Sequence, residues 1–232
     1  MNKPNILITG AKGNTGRVLA EELSARGVPF VAMTHSPQNM AELAARGMAV
    51  VRGDFDDPAT LREALRGIKR AYLVCTPDEH LVPRETAFIR AAQQSGVEHI
   101  VMCSAYLSGE EAESQNLRSH GAIERALKES GLSYTILRPV GFMQTFTLFV
   151  WDMVQGASAI SLPAGDGGMA LVDVRDVARD DRREQRLATR TARVLARRVA
   201  REAAQRAMVD DAAIRQRTQG VAATPVVIPE DP

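Results

Sequence analysis

Three glycines spaced three residues apart, in Gly10-Ala-Lys-Gly13-Asn-Thr-Gly16, constrain this chain most, because of what flanks them. Asn5-Ile-Leu-Ile-Thr9 reads as a short buried strand, and Arg17-Val-Leu-Ala-Glu-Glu-Leu-Ser-Ala-Arg26 reads as a helix. A strand, a glycine turn and a helix in that order place a helix N-terminus at the strand's carboxyl end. The unpaired N–H groups and positive dipole end found there favour a pyrophosphate. The glycines permit the tight turn, the close approach of backbone to phosphate, and the packing of helix on strand. Incidental glycines in an ordinary turn are the weaker alternative. The expectation is a dinucleotide site.

The rest of the chain repeats the alternation. Strand-like runs follow at Phe30–Thr34, Ala49–Arg52, Ala71–Cys75, His99–Cys103, Tyr134–Arg138 and Ala170–Val174. Helical patterns cover Thr15–Arg26, Gln38–Ala45, Pro58–Leu65, Leu81–Ser95 and Ser119–Ser130. Gly27, Gly47, Gly67, Gly96 and Gly131 fall where a left-handed helix cap belongs. Repeated βα units with continuous apolar strands predict an α/β fold, a doubly wound parallel sheet with helices on both faces. The strand carboxyl ends then form one cleft. From Phe142 to Trp151 the chain is apolar and aromatic, which suits core packing and pocket lining equally.

Composition narrows the class. The 232 residues suffice for one sizeable core, and a net charge of +1 gives no field to recruit nucleic acid or a membrane. The N-terminal residues lead straight into the first strand without a signal-peptide pattern, so a cytoplasmic protein is expected. Cys75 and Cys103 lie in apolar strand runs and read as buried thiols rather than a disulfide. Four scattered histidines and two strand cysteines give no metal-ligand spacing, so no metal is expected.

The Gly-x-x-Gly-x-x-Gly spacing resembles that of the atypical short-chain dehydrogenase/reductases, and within them the NmrA-like family. Val51-Arg-Gly-Asp54-Phe resembles that family's third strand and acidic turn. Gly131-Leu-Ser-Tyr-Thr-Ile-Leu-Arg138-Pro-Val-Gly-Phe-Met143 resembles its most recognisable segment, and Val172-Asp-Val-Arg-Asp176-Val-Ala178 the strand and helix start after the substrate loop. The resemblance covers about residues 2 to 178. It implies a Rossmann-type domain over 1–140 and a small, incomplete C-terminal lobe over 141–178, interleaved with the last strand.

Cofactor choice is read at the end of the second strand, where an acid suits NAD and a cation suits NADP. Here the strand ends Met33-Thr34-His35-Ser36 without an acid, and His35 stands where the family often has arginine. Lys12, beside the second glycine, is the candidate for the 2′-phosphate, with Arg17 a further one; a solvated loop lysine is the alternative. NADP(H) is expected, with NAD(H) second. The resemblance implies that Asp54 and Phe55 meet the adenine edge, although Asp54 equally suits a turn leading to Asp57-Pro58. Cys75-Thr76-Pro77 would pass beneath the ribose and nicotinamide. The expected cofactor contacts are Gly10, Lys12, Gly13, Asn14, Thr15, Gly16, His35, Ser36, Asp54, Phe55, Cys75, Thr76, Pro77, Ser104 and Pro139.

Catalysis is less plainly written. The Tyr-x-x-x-Lys pair of typical short-chain reductases is absent. Tyr106 and His120 are the candidate catalytic groups. His120 stands roughly where the family carries its active-site lysine, and an imidazole can hydrogen-bond or donate a proton near neutral pH. Each has a plain alternative: Tyr106 as a loop aromatic, and His120 with Glu124 as a surface i,i+4 pair. The resemblance implies either an NADPH-dependent reductase of quinones or similar apolar, electron-poor acceptors, or a redox sensor that binds the dinucleotide without turnover. Partners are then a small apolar acceptor, no nucleic acid and no membrane, with a homodimer as the candidate assembly.

The last segment, 179–232, departs from the pattern. Twelve of the 39 residues from Arg179 to Arg217 are arginine, and lysine is absent after Lys128. Two explanations stand side by side: a basic helix with a ragged apolar face, and a reading-frame change near residue 179.

Overall fold

The computed structural model describes residues 4–145 and 170–178. The tail from residue 179 and most of the aromatic stretch, residues 146–151, lie outside the described residues. Residues 4–139 and 174–178 form one unit, and residues 140–145 and 170–173 a second.

The first unit is a six-stranded sheet built from β1 (Ile6–Ile8), β2 (Val31–Thr34), β3 (Ala49–Arg52), β4 (Arg70–Leu73), β5 (His99–Cys103) and β6 (Ser133–Leu137). Its order is β3-β2-β1-β4-β5-β6, every neighbouring pair parallel. The chain winds outward from β1 to β3, then crosses back to β4. That reversal puts the topological switch point between β1 and β4, where open α/β sheets hold their ligands. The sequence expectation of a doubly wound parallel sheet holds.

Five helices return the chain between strands: α1 (Asn14–Ala25), α2 (Pro37–Ala45), α3 (Pro58–Ala64), α4 (Leu81–Gln94) and α5 (Gln115–Glu129). Three begin on a side-chain cap. The oxygens of Ser36, Asp57 and Ser114 accept from the N–H groups of Asn39, Ala59 and Leu117, satisfying donors that the helix itself leaves unpaired. Ser114 explains why α5 starts at Gln115, four residues before the sequence pattern places it. The five expected cap glycines all take positive φ, between +64° and +79°, the region a side chain would strain.

The core lies where α4 and α5 meet the sheet. Leu81, Phe88, Ile89 and Ala92 of α4 and Ile123 and Leu127 of α5 are buried with Leu73, Ile100 and Met102. Each such large side chain contributes about 1.5–3 kcal/mol by leaving water.

In the second unit, β7 (Gly141–Phe142) and β8 (Leu171–Val172) pair in parallel as a separate two-stranded sheet. The strand expected at Ala170–Val174 is thus reduced to two residues. Asp173 follows β8, and residues 174–178, back in the first unit, are helical with Val174, Val177 and Ala178 buried.

Candidate functional site

The glycine turn is held by the strand beside it. After β1 the buried Thr9 hydroxyl continues the ladder toward the end of β4. It accepts from the Val74 N–H at 2.8 Å, and the Val74 carbonyl lies within donating reach at 2.8 Å. Gly10 then turns with φ +59°, and a Cβ there would stand 2.7 Å from Val74 Cγ1. A Cβ on Gly16 would meet the Gly10 carbonyl oxygen at 2.4 Å. Both positions require glycine, the first on conformation and contact and the second on contact alone.

Gly13 is the N-cap of α1 and brings no side-chain hydrogen bond, unlike the caps of α2, α3 and α5. Its N–H turns back to the Gly10 carbonyl at 2.8 Å. Thr15 is buried, and its hydroxyl accepts from the buried Tyr72 hydroxyl at 2.8 Å. Its side chain therefore anchors the first turn of α1 to β4, and only its backbone N–H remains for a ligand. Asn14 is exposed in the same turn. An uncapped first turn, backed by glycines and fixed at its base, is a cradle for a phosphate anion.

On the β2 side, Ser36 and His35 follow the strand. Ser36 is committed as the cap of α2, and His35 is exposed. Lys12 reaches across to α2, with its Nζ 2.5 Å from Glu42 Oε2 and 3.0 Å from Asn39 Oδ1. Arg17 turns along α1 to Glu21 at 3.2 Å. Asp54 organises its own turn, as its Oδ1 accepts from the Asp56 N–H at 3.0 Å and its carbonyl from the Asp57 N–H at 3.1 Å. Phe55 packs on Phe88 of α4, with ring centroids 5.8 Å apart. Arg84 of α4 ties this turn to the β4–α4 loop by pairing with Asp56 and Asp78, each at 2.8 Å.

On the β4 side, the ladder ends at Leu73, two residues short of the Ala71–Cys75 expected from the sequence, because Thr9 substitutes its side chain for backbone. Cys75 is half-buried, and burial pushes its thiol up to about 11, with the nearby Glu85 adding to the effect. No disulfide joins Cys75 and Cys103. Thr76 and Pro77 are exposed.

The end of β5 carries a network that sequence reasoning missed. Glu124 of α5 is 1 % exposed, and its Oε1 accepts from Ser104 at 2.7 Å, Ser108 at 2.6 Å and Arg138 Nε at 2.8 Å. The Arg138 Nη2 and Lys128 Nζ approach the other oxygen. Burial alone would raise this carboxyl, but the hydrogen bonds of Arg138, Ser108 and Ser104 outweigh it and hold the group down at about 2. The alternative of a surface pair between Glu124 and His120 therefore does not describe Glu124, which is buried. One signal was available, since Glu124 sits beside Ile123 and a turn before Leu127, on the core-facing side of α5.

Ser104 is thus drawn toward α5, while the Tyr106 N–H donates to the Pro139 carbonyl at 2.8 Å. The Tyr106 ring is half exposed. His120, one turn before Glu124, is half-buried with its Nδ1 enclosed and unpartnered. Burial lowers its basicity, and the Glu124 charge opposes this without cancelling it. Gly121 lets α5 press on the preceding loop, because a Cβ there would lie 2.5 Å from the Gly109 carbonyl carbon.

Residues 10–147 match the model of the NAD(P)H-binding family. An NAD(P)H azoreductase of Xenophilus azovorans is 30% identical over 175 residues, covering 75% of this chain and 60% of the relative. An NmrA-like family domain-containing oxidoreductase of Aspergillus flavus is 30% identical over 182 residues, covering 74% and 58%. Quinone oxidoreductase 2 of Escherichia coli is 31% identical over 180 residues, covering 75% and 61%. Its structure in complex with NADPH superposes with a TM-score of 0.67. The chain spans about 60% of the length of these curated relatives. Among the described residues no helix is long and apolar enough to cross a membrane.

Proposed function

The chain belongs to the NAD(P)H-binding family, with the NmrA-like kinship its motifs imply, and on that premise we propose an NADPH-dependent reductase of quinones or similar apolar, electron-poor acceptors. The observation that carries this reading is the cradle at the start of α1. Gly10 and Gly16 leave room that a single Cβ would fill, and no side chain caps the N–H groups behind them. The residues present fit a dinucleotide pyrophosphate.

Reduced NADPH, when bound, supplies a hydride. The chain's own residues then divide the remaining work. The first turn of α1, with Asn14 and the Thr15 backbone, would bind the pyrophosphate. Lys12, with His35 and Ser36 alongside, would receive the 2′-phosphate, exchanging Glu42 for it. Asp54 and Phe55 would border the adenine, and Cys75, Thr76 and Pro77 the other ribose. Ser104 and Pro139 bracket the loop at the end of β5 through Glu124 and the Tyr106 amide. Tyr106 would give an acceptor oxygen a hydrogen bond or proton, and His120 a hydrogen bond. A quinone needs little more, because orientation against the nicotinamide supplies most of the rate.

One observation favours a second reading. The Ser104 hydroxyl is committed to Glu124, which suits a dinucleotide sensor that does not turn over. Aerobic mixing of the purified protein with NADPH and a benzoquinone separates the two. Quinone-dependent loss of the reduced-nicotinamide absorbance, diminished in Tyr106→Phe or His120→Ala, supports the reductase; saturable NADPH binding without consumption supports the sensor. The working form is a cytoplasmic protein, and sedimentation of the same sample tests whether it is a homodimer.

A further inference from the structure

At the end of β4, beside the glycine turn, one buried carboxyl group lacks a partner. Glu85 lies on the core-facing stripe of α4 with Leu81, Phe88 and Ile89, and it is 1 % exposed. Neither of its carboxyl oxygens has a hydrogen-bond partner. The Cys75 backbone amide faces the group without reaching hydrogen-bond geometry and offsets only part of the cost of burial, which pushes the carboxyl up to about 8. At neutral pH Glu85 is therefore mostly protonated, offering one donor and one acceptor. An orphaned carboxyl in an apolar helix–sheet interface is worse for stability than an apolar side chain of equal length. Packing gives no reason for it.

Its position does. Cys75 follows Val74, and Val74 Cγ1 is the atom that a Cβ on Gly10 would strike at 2.7 Å. Glu85, Cys75, Val74 and Gly10 thus run continuously across the β1/β4 switch point. In a sheet of this order the adenosine half of a dinucleotide belongs on the β2 side of that point, where the 2′-position is read, and the pyrophosphate on the first turn of α1. The other half must pass to the β4 side. It carries neutral groups, ribose hydroxyls and a carboxamide, that each donate and accept hydrogen bonds.

Resting on the dinucleotide reading above, we propose that Glu85 is a cofactor-binding residue that hydrogen-bonds the nicotinamide half of the dinucleotide through its buried carboxyl group. The partner is a ribose hydroxyl or the carboxamide, and binding supplies the hydrogen bond that the free protein lacks.

The test compares full cofactor with half of it. Calorimetric titrations with NADPH and with 2′,5′-ADP, which lacks the nicotinamide half, are run on wild type, Glu85→Met and Glu85→Gln. Methionine matches the length of the side chain and removes its polarity; glutamine keeps a donor and an acceptor. The expected result is that Glu85→Met binds NADPH about tenfold more weakly, the scale of one lost hydrogen bond, while its affinity for 2′,5′-ADP stays within about twofold. Glu85→Gln should retain NADPH within about threefold, and Glu85→Met should melt at or above wild type. Equal effects on both ligands, or no effect on either, would overturn the assignment. If the methionine variant does not fold, Glu85→Ala is judged by the same two ligands. Failure of wild type to bind NADPH at all would instead sink the dinucleotide reading on which this one rests.

Discussion

Replacing Glu124 by glutamine removes one negative charge from the network at the end of β5, and the burial and partners of that charge set the cost. The group is buried beneath Arg138, Ser108 and Ser104 and held at about 2, against an ordinary 4.5 for glutamate. At about 1.4 kcal/mol per pH unit, that difference corresponds to about 3 kcal/mol of folding stability at neutral pH. Because the folded value is depressed, the stabilisation is fully present above the unfolded value and is lost as pH falls from about 4.5 toward 2. Glutamine, uncharged at every pH, lacks it throughout. For a domain of this size about 3 kcal/mol lowers the midpoint by about 6–12 °C. Thermal unfolding followed by circular dichroism should show that gap between wild type and Glu124→Gln at pH 7. At pH 3 less than half of it should remain, since most of the linked stability has then been titrated away. A midpoint within about 2 °C of wild type at pH 7, or a gap unchanged between pH 7 and pH 3, would mean that the Glu124 charge does not stabilise the fold in this way. Arg138 is half exposed and can rehydrate, which is why the larger losses known for a stranded buried charge are not expected.

Two further predictions concern the glycine turn and its neighbour. Gly16→Ala forces a Cβ to within 2.4 Å of the Gly10 oxygen, so the turn must shift. Overpacking of this kind costs about 1–3 kcal/mol, and calorimetry should find NADPH affinity lowered at least tenfold; wild-type affinity would show that the cradle does not hold the phosphates. Glu42→Ala frees Lys12 from an exposed ion pair worth at most about 1 kcal/mol, so stability should barely change. The NADPH-to-NADH affinity ratio should rise by up to about fivefold, whereas Lys12→Ala should lower it; an unchanged ratio in both variants removes Lys12 from 2′-phosphate recognition.

The alternation of apolar runs and glycine caps was enough to order the sheet, because each signal lies within a few residues of what it determines. Gly27, Gly47, Gly67, Gly96 and Gly131 take their positive φ for reasons local to each helix end. The side-chain partnerships of the site were not legible in the same way. Lys12 meets Glu42 across 30 positions, and Ser104 meets Glu124 across 20. Only the packing of one element on another decides such pairs. Thr15 shows the difference within a single residue. Its place in the turn was evident, yet nothing local indicated that Tyr72, 57 positions away, would claim its hydroxyl. Glu85 and Glu124 left a fainter trace, each an acid interrupting the apolar stripe of its helix. Glu124 is paired inside the protein, whereas the Glu85 oxygens have no hydrogen-bond partner.

If the turn at Gly10, Gly13 and Gly16 holds a dinucleotide with a 2′-phosphate, a calorimetric titration of the full chain with NADPH, and with NADH in parallel, should show saturable binding of one dinucleotide per chain with NADPH the tighter of the two. No binding of NADPH or NADH would mean that the turn holds no dinucleotide.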